Sequence, residues 1–208
     1  MIDFKATEPI NLIINGVGGQ GNVLASQILG RAGVNRGLKV TIGETFGLSQ
    51  RGGPVSSHVR FSKEKNYGPI IPPNMAHVIV GLEPLETLRI LEEFGNEDTV
   101  FIVNNRPIYP LNVIAGDVEY PDPPWIREVI STSGGDLYWV DATSRAVDLG
   151  GPIMLNMIML GALCCLEGFP VSVEDIKGVL SDIFPEGKLK PNYQALEVGR
   201  GLIAGGQD

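Results

Sequence analysis

Seven residues near the start of the chain, Asn15-Gly16-Val17-Gly18-Gly19-Gln20-Gly21, have the make-up of an anion-binding turn. Gly16, Gly18 and Gly21 fit the spacing G-x-G-x-x-G. The first glycine permits a tight turn and the second lets a ligand approach the backbone. The third lets a helix pack closely on its strand, and the free N–H groups of that helix start attract negative charge. Such a fingerprint gains weight only when a strand precedes it and a helix follows. Here the β-branched run Ile10 to Asn15 predicts the strand, and Val23, Leu24, Ile28 and Leu29 predict the helix by their spacing. Glu44 lies 23 residues beyond Gly21, where a ribose-binding acid stands in NAD enzymes. Many Rossmann-like folds bind no dinucleotide. The additional Gly19 and the Gln20 amide favour a nest for phosphate or for a partner protein over a dinucleotide clamp.

A second segment, Glu44 to Gly53, places Ser49, Gln50 and Arg51 before the pair Gly52-Gly53. The glycine pair lets the backbone turn sharply, and the Arg51 guanidinium can clamp a phosphate or carboxylate with two hydrogen bonds. The competing reading is a solvated loop with a structural turn. His58 follows on an alternating strand beside Arg60. It is read either as part of an outward-reaching pair or as a strand histidine satisfied by hydrogen bonds. His77 opens an apolar run and reads as structural. With two histidines in the chain and no G-x-S-x-G around Ser49, no hydrolytic triad can be assembled. Glu83 and Glu86 open a helix, where carboxylates complement the dipole. Asp141 reads as a helix cap, with reach to a ligand as its alternative. Cys164 and Cys165 are adjacent, which suits neither a zinc site nor an iron–sulfur motif. They are expected to pack as small apolar side chains in a protein of the reducing cytoplasm.

The elements that must hold these residues follow from alternating apolar runs and helical patterns. Strands are predicted at Ile10 to Asn15, Lys39 to Gly43, Val55 to Phe61, His77 to Leu82, Thr99 to Val103 and Leu137 to Val140, with a short edge strand at Leu111 to Ile114. After the helix that begins at the first glycine turn, helices are predicted at Glu83 to Phe94 and around Trp125 to Ser131. Four more follow at Ala142 to Leu149, Ile153 to Leu166, Val173 to Ile183 and Tyr193 to Ile203. The fold class is therefore α/β, with a Rossmann-like, mostly parallel sheet flanked by helices and a helical C-terminal segment. One domain is expected over 1–208, its α/β part in 1–150 and its helical part in 151–208. Ile153 to Leu166 is apolar nearly all round, which marks a core helix or one buried in a subunit interface. It is too short to span a bilayer, and the polar N-terminus is not a signal peptide. The net charge of −8, with basic residues scattered, argues against a nucleic-acid partner. At 208 residues the chain can bury enough surface to fold without a disulfide or metal.

Three segments together, GVGGQGNVLASQILGRA, ETFGLSQRGGPVSSHVRF and HVIVGLEPLETLR, resemble the gamma subunit or domain of 2-oxoacid:ferredoxin oxidoreductases. The nearest branch is the beta subunit of the indolepyruvate enzymes, and sibling branches act on pyruvate or 2-oxoglutarate. The likeness spans about residues 10–200, and Leu155-Asn156-Met157 agrees with it. Asn22 departs from it, where an aliphatic residue is usual. The resemblance implies a subunit that is inert alone, in a cytoplasmic complex of anaerobic metabolism. Thiamine diphosphate with Mg and [4Fe-4S] clusters would sit on partner subunits, ferredoxin would take the electrons, and CoA would be the co-substrate. No cofactor would be held tightly by this chain, and none of its residues would be catalytic or ligate a metal. Its Gly16–Gly21 turn and its Glu44, Ser49–Gly53 and His58 region would face the partner and the CoA path, and the isolated chain would be open to homodimer formation. Two other readings remain: a free-standing NAD(P)-binding oxidoreductase, and a stand-alone regulatory homolog.

Overall fold

The computed structural model describes residues 2–46 and 53–204. Six strands, β1 (Ile10–Val17), β2 (Lys39–Phe46), β3 (Pro54–Ser62), β4 (Val78–Gly81), β5 (Val100–Asn104) and β6 (Leu137–Val140), form one sheet in the order β2-β3-β1-β4-β5-β6. The β1–β4, β4–β5 and β5–β6 pairs are parallel, whereas β3 runs antiparallel to both β1 and β2. β2 and the parallel strands thus point the same way, with β3 reversed between β2 and β1. Every residue of β1, β4 and β5 is buried, as expected of central strands covered on both faces.

Helices α1 (Asn22–Asn35), α2 (Pro84–Phe94), α3 (Leu111–Ile114), α4 (Pro123–Ser133), α5 (Ala142–Asp148), α6 (Leu155–Leu163), α7 (Val173–Ile183) and α8 (Glu186–Ala204) complete the fold. One core lies under α1 and α5 to α8, and includes Leu12, Ile14, Val80 and Ile102. The second lies under α2 and α4, around Ile13, Ile79, Phe101 and Ile126. The strand alternation sends neighbouring residues to opposite cores.

Three helix starts are capped by side chains. Glu83 caps α2 by accepting the Glu86 N–H at 2.8 Å, with Pro84 in the first turn. Asp141 caps α5 through the Ser144 N–H, so the cap reading of that residue holds. Ser172 and Asp175 form a reciprocal capping box at α7. α6 is buried over its whole length, and α8 crosses it with the backbones in contact. A Cβ on Gly161 would lie 2.1 Å from the Leu196 carbonyl oxygen, and one on Gly199 would lie 1.8 Å from that of Ile158. Only glycine fits either side of this crossing.

Three expectations are corrected. Leu111–Ile114 is a helical turn, not an edge strand: Pro110 starts it, and its carbonyl accepts from the Val113 and Ile114 N–H groups at 3.0 Å. Apolar composition suggested a strand there, but the proline-initiated turn closes its hydrogen bonds locally. α8 begins at Glu186 instead of near Tyr193, carrying Pro191 inside it. Asn192, next to that proline, donates its side-chain amide to the Lys188 carbonyl one turn back. The run Ile153 to Leu166 divides into a 3-10 turn at Pro152–Met154 and α6. Among the described residues no helix is long and apolar enough to cross a membrane.

Candidate functional site

The parallel strands end together, and their carboxyl edge gathers the first glycine turn, the ends of β4, β5 and β6, and the start of α6. Open α/β sheets bind ligands at such an edge. Gly19 and Gly21 adopt φ values of 104° and 84°, which side chains other than glycine rarely take. Gln20 braces the turn from within. Its Oε1 accepts the Val17 N–H at 2.7 Å and its Nε2 donates to the Leu82 carbonyl at 3.0 Å. Both ends of that amide are thus occupied inside the protein. A Cβ on Gly16 would strike this Gln20 oxygen at 2.5 Å. Asn156, at the start of α6, donates to the Gln20 carbonyl at 2.9 Å, and a Cβ on Gly21 would lie 2.3 Å from the same Asn156 nitrogen. Asn22 donates to the Val55 carbonyl at 3.2 Å, so the residue that departs from the family pattern ties α1 to β3.

The two glycine segments meet: the Gly18 N–H donates to the Gly53 carbonyl at 2.9 Å. Ser49, Gln50, Arg51 and Gly52 lie outside the described residues. Glu44 accepts from Ser26 Oγ at 2.8 Å with one carboxylate oxygen and from Ser57 Oγ with the other. It joins β2 to α1 and β3 instead of lining the cleft at the glycine turn. His58 points to the opposite face of the sheet, where it is buried against the edge of Phe94. Its Nδ1 accepts from the Ile71 N–H at 3.4 Å, and Nε2 lies 3.5 Å from Ser56 Oγ. Burial, with the Arg60 charge nearby, brings its pKa down to about 4. Arg60 is itself buried. It donates to Asn11 and to the Gly68 and Ile70 carbonyls, and lies over the Tyr67 ring. These partners match the hydrogen-bonded reading of both residues. His77 accepts the Asn11 N–H on Nδ1 at 2.9 Å.

Between the glycine turn and the ends of β5 and β6 opens a cleft of about 500 Å³. Among the described residues no side chain caps the start of α1, which leaves its first N–H groups to meet an acceptor in the cleft. Arg106 stands exposed in its wall with no ion pair to a described residue. Asn156 lines it with a buried, unpartnered Oδ1. Asn104 on the floor is fixed by Leu82 and Thr143. The rim is apolar: Leu24 is 39% exposed, Ile108 37% and Ile153 74%.

Sequence reasoning missed Asn104, Arg106 and Asn156 as parts of this edge, because their neighbours there come from distant segments. It also gave Glu83 too small a role. Buried beneath the edge, Glu83 accepts from the Tyr120 hydroxyl, the Ile108 N–H and the Glu86 N–H, and so pins the proline-rich crossover to α2. Burial raises its pKa above the usual carboxylate value and outweighs those hydrogen bonds. Among the described residues no group of three His, Cys, Asp or Glu side chains is placed to hold a metal ion.

The profile of the pyruvate ferredoxin/flavodoxin oxidoreductase family matches residues 11–202. The indolepyruvate oxidoreductase subunit IorB of Thermococcus kodakarensis is 37% identical over 91% of this chain and 93% of its own length. The pyruvate synthase subunit PorC of Methanocaldococcus jannaschii is 29% identical over 91% of this chain and 94% of its own. The crystal structure of the pyruvate oxidoreductase subunit PORC of Thermotoga maritima superposes with a TM-score of 0.70 at 25% identity, covering 93% of this chain and 96% of that one. With its glycine turn, its mixed sheet and nearly its whole length accounted for, the chain belongs to the pyruvate ferredoxin/flavodoxin oxidoreductase family.

Proposed function

We propose that the chain is the non-thiamine, non-cluster subunit of a cytoplasmic 2-oxoacid:ferredoxin oxidoreductase of the indolepyruvate type. In this reading the carboxyl edge of its sheet is the face applied to the cofactor-bearing partner. The complex converts a 2-oxoacid, CoA and two oxidised ferredoxins into acyl-CoA, CO₂, a proton and two reduced ferredoxins. Thiamine diphosphate with Mg, bound by the partner, supplies the carbanion chemistry, and the partner's iron–sulfur clusters carry the electrons. This chain supplies shape and charge. The observation that carries the reading is the cleft at the glycine turn. Its apolar rim of Leu24, Ile108 and Ile153 suits a protein surface. Inside it, the uncapped start of α1 and the unpaired Arg106 suit the phosphates of CoA. Gly53 extends the same edge through its bond to Gly18, and Glu44 supports it from within.

A free NAD(P)-dependent enzyme is less well supported, since Glu44 spends both carboxylate oxygens on serine hydroxyls and is not offered to a ribose. The test is co-expression with the thiamine- and cluster-bearing partner, followed by steady-state assay with CoA. Ile153→Asp is expected to weaken assembly at least tenfold. Arg106→Ala and Arg51→Ala are each expected to raise the KM for CoA several-fold at unchanged kcat. Assembly and CoA affinity unaltered in all three variants would refute the reading. A pull-down from native lysate that recovers this chain without such a partner would favour the stand-alone homolog.

A further inference from the structure

The face of the sheet opposite the α1 core carries a polar strip that the proposed interface does not use. Strand register sets Thr45 of β2, Ser56 of β3 and Asn15 of β1 side by side across three neighbouring strands. Thr45 and Ser56 share a hydrogen bond, and His58 Nε2 approaches the same Ser56 hydroxyl. Asn15 stands apart. It is 1% exposed, and among the described residues neither its amide nitrogen nor its amide oxygen has a partner. A buried carboxamide open at both ends is costly, and native proteins seldom leave one so. An apolar residue at this strand position would avoid that cost.

The strip forms the floor of a cleft of about 430 Å³ between the sheet and α2. The opposite wall is apolar, made of Ile70, Ile90 and Phe94. The floor carries no charge. Because His58 Nδ1 accepts from Ile71, its proton sits on Nε2, and burial keeps the ring neutral. Among the described residues the charged groups lining the cleft are on α2: Glu86 paired with Arg89 at 2.7 Å, and Glu93. Two carboxylates against one arginine disfavour an anion. A neutral ligand with a flat apolar body therefore fits the cleft. Its polar edge must offer an acceptor beside a donor, to meet the donor and acceptor of Asn15. A 6-aminopurine carries that pattern at its N7 and amino group, the edge that asparagine side chains read bidentately.

We propose that this cleft binds an uncharged amino-heterocycle of the 6-aminopurine type, with Asn15 reading its polar edge and Ile90 and Phe94 packing on its ring. The proposal does not depend on the carboxyl-edge interface, because the ligand site lies on the other face of the sheet. The test titrates the ¹⁵N-labelled full chain with adenosine, with AMP and with purine riboside, which lacks the exocyclic amino group. Adenosine is expected to shift the Asn15 side-chain amide resonances saturably and to bind at least tenfold more tightly than purine riboside. Equal or weaker binding of AMP is expected of a site for an uncharged base, and AMP binding tighter than adenosine would overturn the proposal. Asn15→Leu should abolish the binding, and Asn15→Asp, which keeps the size and loses the donor, should weaken it at least tenfold. The proposal fails if millimolar adenosine leaves the Asn15 amide unmoved, or if purine riboside binds as well. It fails equally if the amide responds only to the partner subunit, which would make the occupant a segment of that protein.

Discussion

His58 shows how a polar residue inside the sheet sets the protein's response to acid. Its folded-state pKa near 4 lies below the ordinary histidine value of 6.5, from burial first and the Arg60 charge second. Between those two values the unfolded chain takes up a proton that the folded chain refuses. The contribution to stability is therefore complete above pH 6.5 and falls as pH drops, by roughly 3 kcal/mol at pH 4. His77 shifts in the same direction, while Glu83 and Glu86, raised by burial, act in the opposite sense. The difference between wild type and His58→Gln isolates the single group. Urea unfolding between pH 4 and 7 is expected to show a shallower acid slope in the variant, and parallel slopes would contradict the assignment. Residues of this kind were only partly legible in the sequence. The glycines of the first turn announced themselves, because positive φ has a strong residue preference. The bracing by Gln20 did not, because its partner Leu82 is 62 positions away. Asn156 reaches the same turn across 136 positions, and the family likeness of Leu155-Asn156-Met157 does not tell which segment it bonds.

Elements were read more securely than their ends. The central strands are dominated by β-branched and apolar residues and α7 has a capping box, so both stand where the sequence pattern places them. The misplaced elements are those where proline acts against the local pattern, at α3 and at Pro191 of α8. Nothing in the sequence indicates that α6 and α8 touch backbone to backbone, since each glycine is explained only by the other helix. That crossing makes a sharp prediction. Gly199→Ala and Gly161→Ala each force a methyl group into a main-chain carbonyl, and each is expected to cost about 3 kcal/mol. Gly201→Ala, on the same helix but with open space around it, is expected to be neutral or slightly stabilising. Thermal unfolding of the three variants decides the matter, and equal melting temperatures would show that the helices can separate at no cost.

At the scale of the whole molecule, the exposed apolar rim of the carboxyl edge is the feature that an isolated chain carries at a disadvantage. On the proposed function, the cofactor-bearing partner covers it. A partner present at a hundred times its Kd stabilises by about 2.7 kcal/mol. In a chain of 208 residues this corresponds to a rise in Tm of about 5–10 °C. Differential scanning calorimetry with and without the partner measures it. The lone chain, supplied with a 2-oxoacid, CoA and ferredoxin, is expected to show no turnover. Activity under those conditions, or an unmoved Tm, would count against a subunit role.

The bond from the Gly18 N–H to the Gly53 carbonyl has a thermodynamic corollary. It fastens the entrance of α1 to the leading end of β3, two straps that are 35 positions apart in the chain. An event that repositions one strap must stretch or relax the other. Whatever free energy a ligand at the helix entrance lends to a protein bound along the strand is returned in equal measure, so any coupling between the two occupancies is reciprocal.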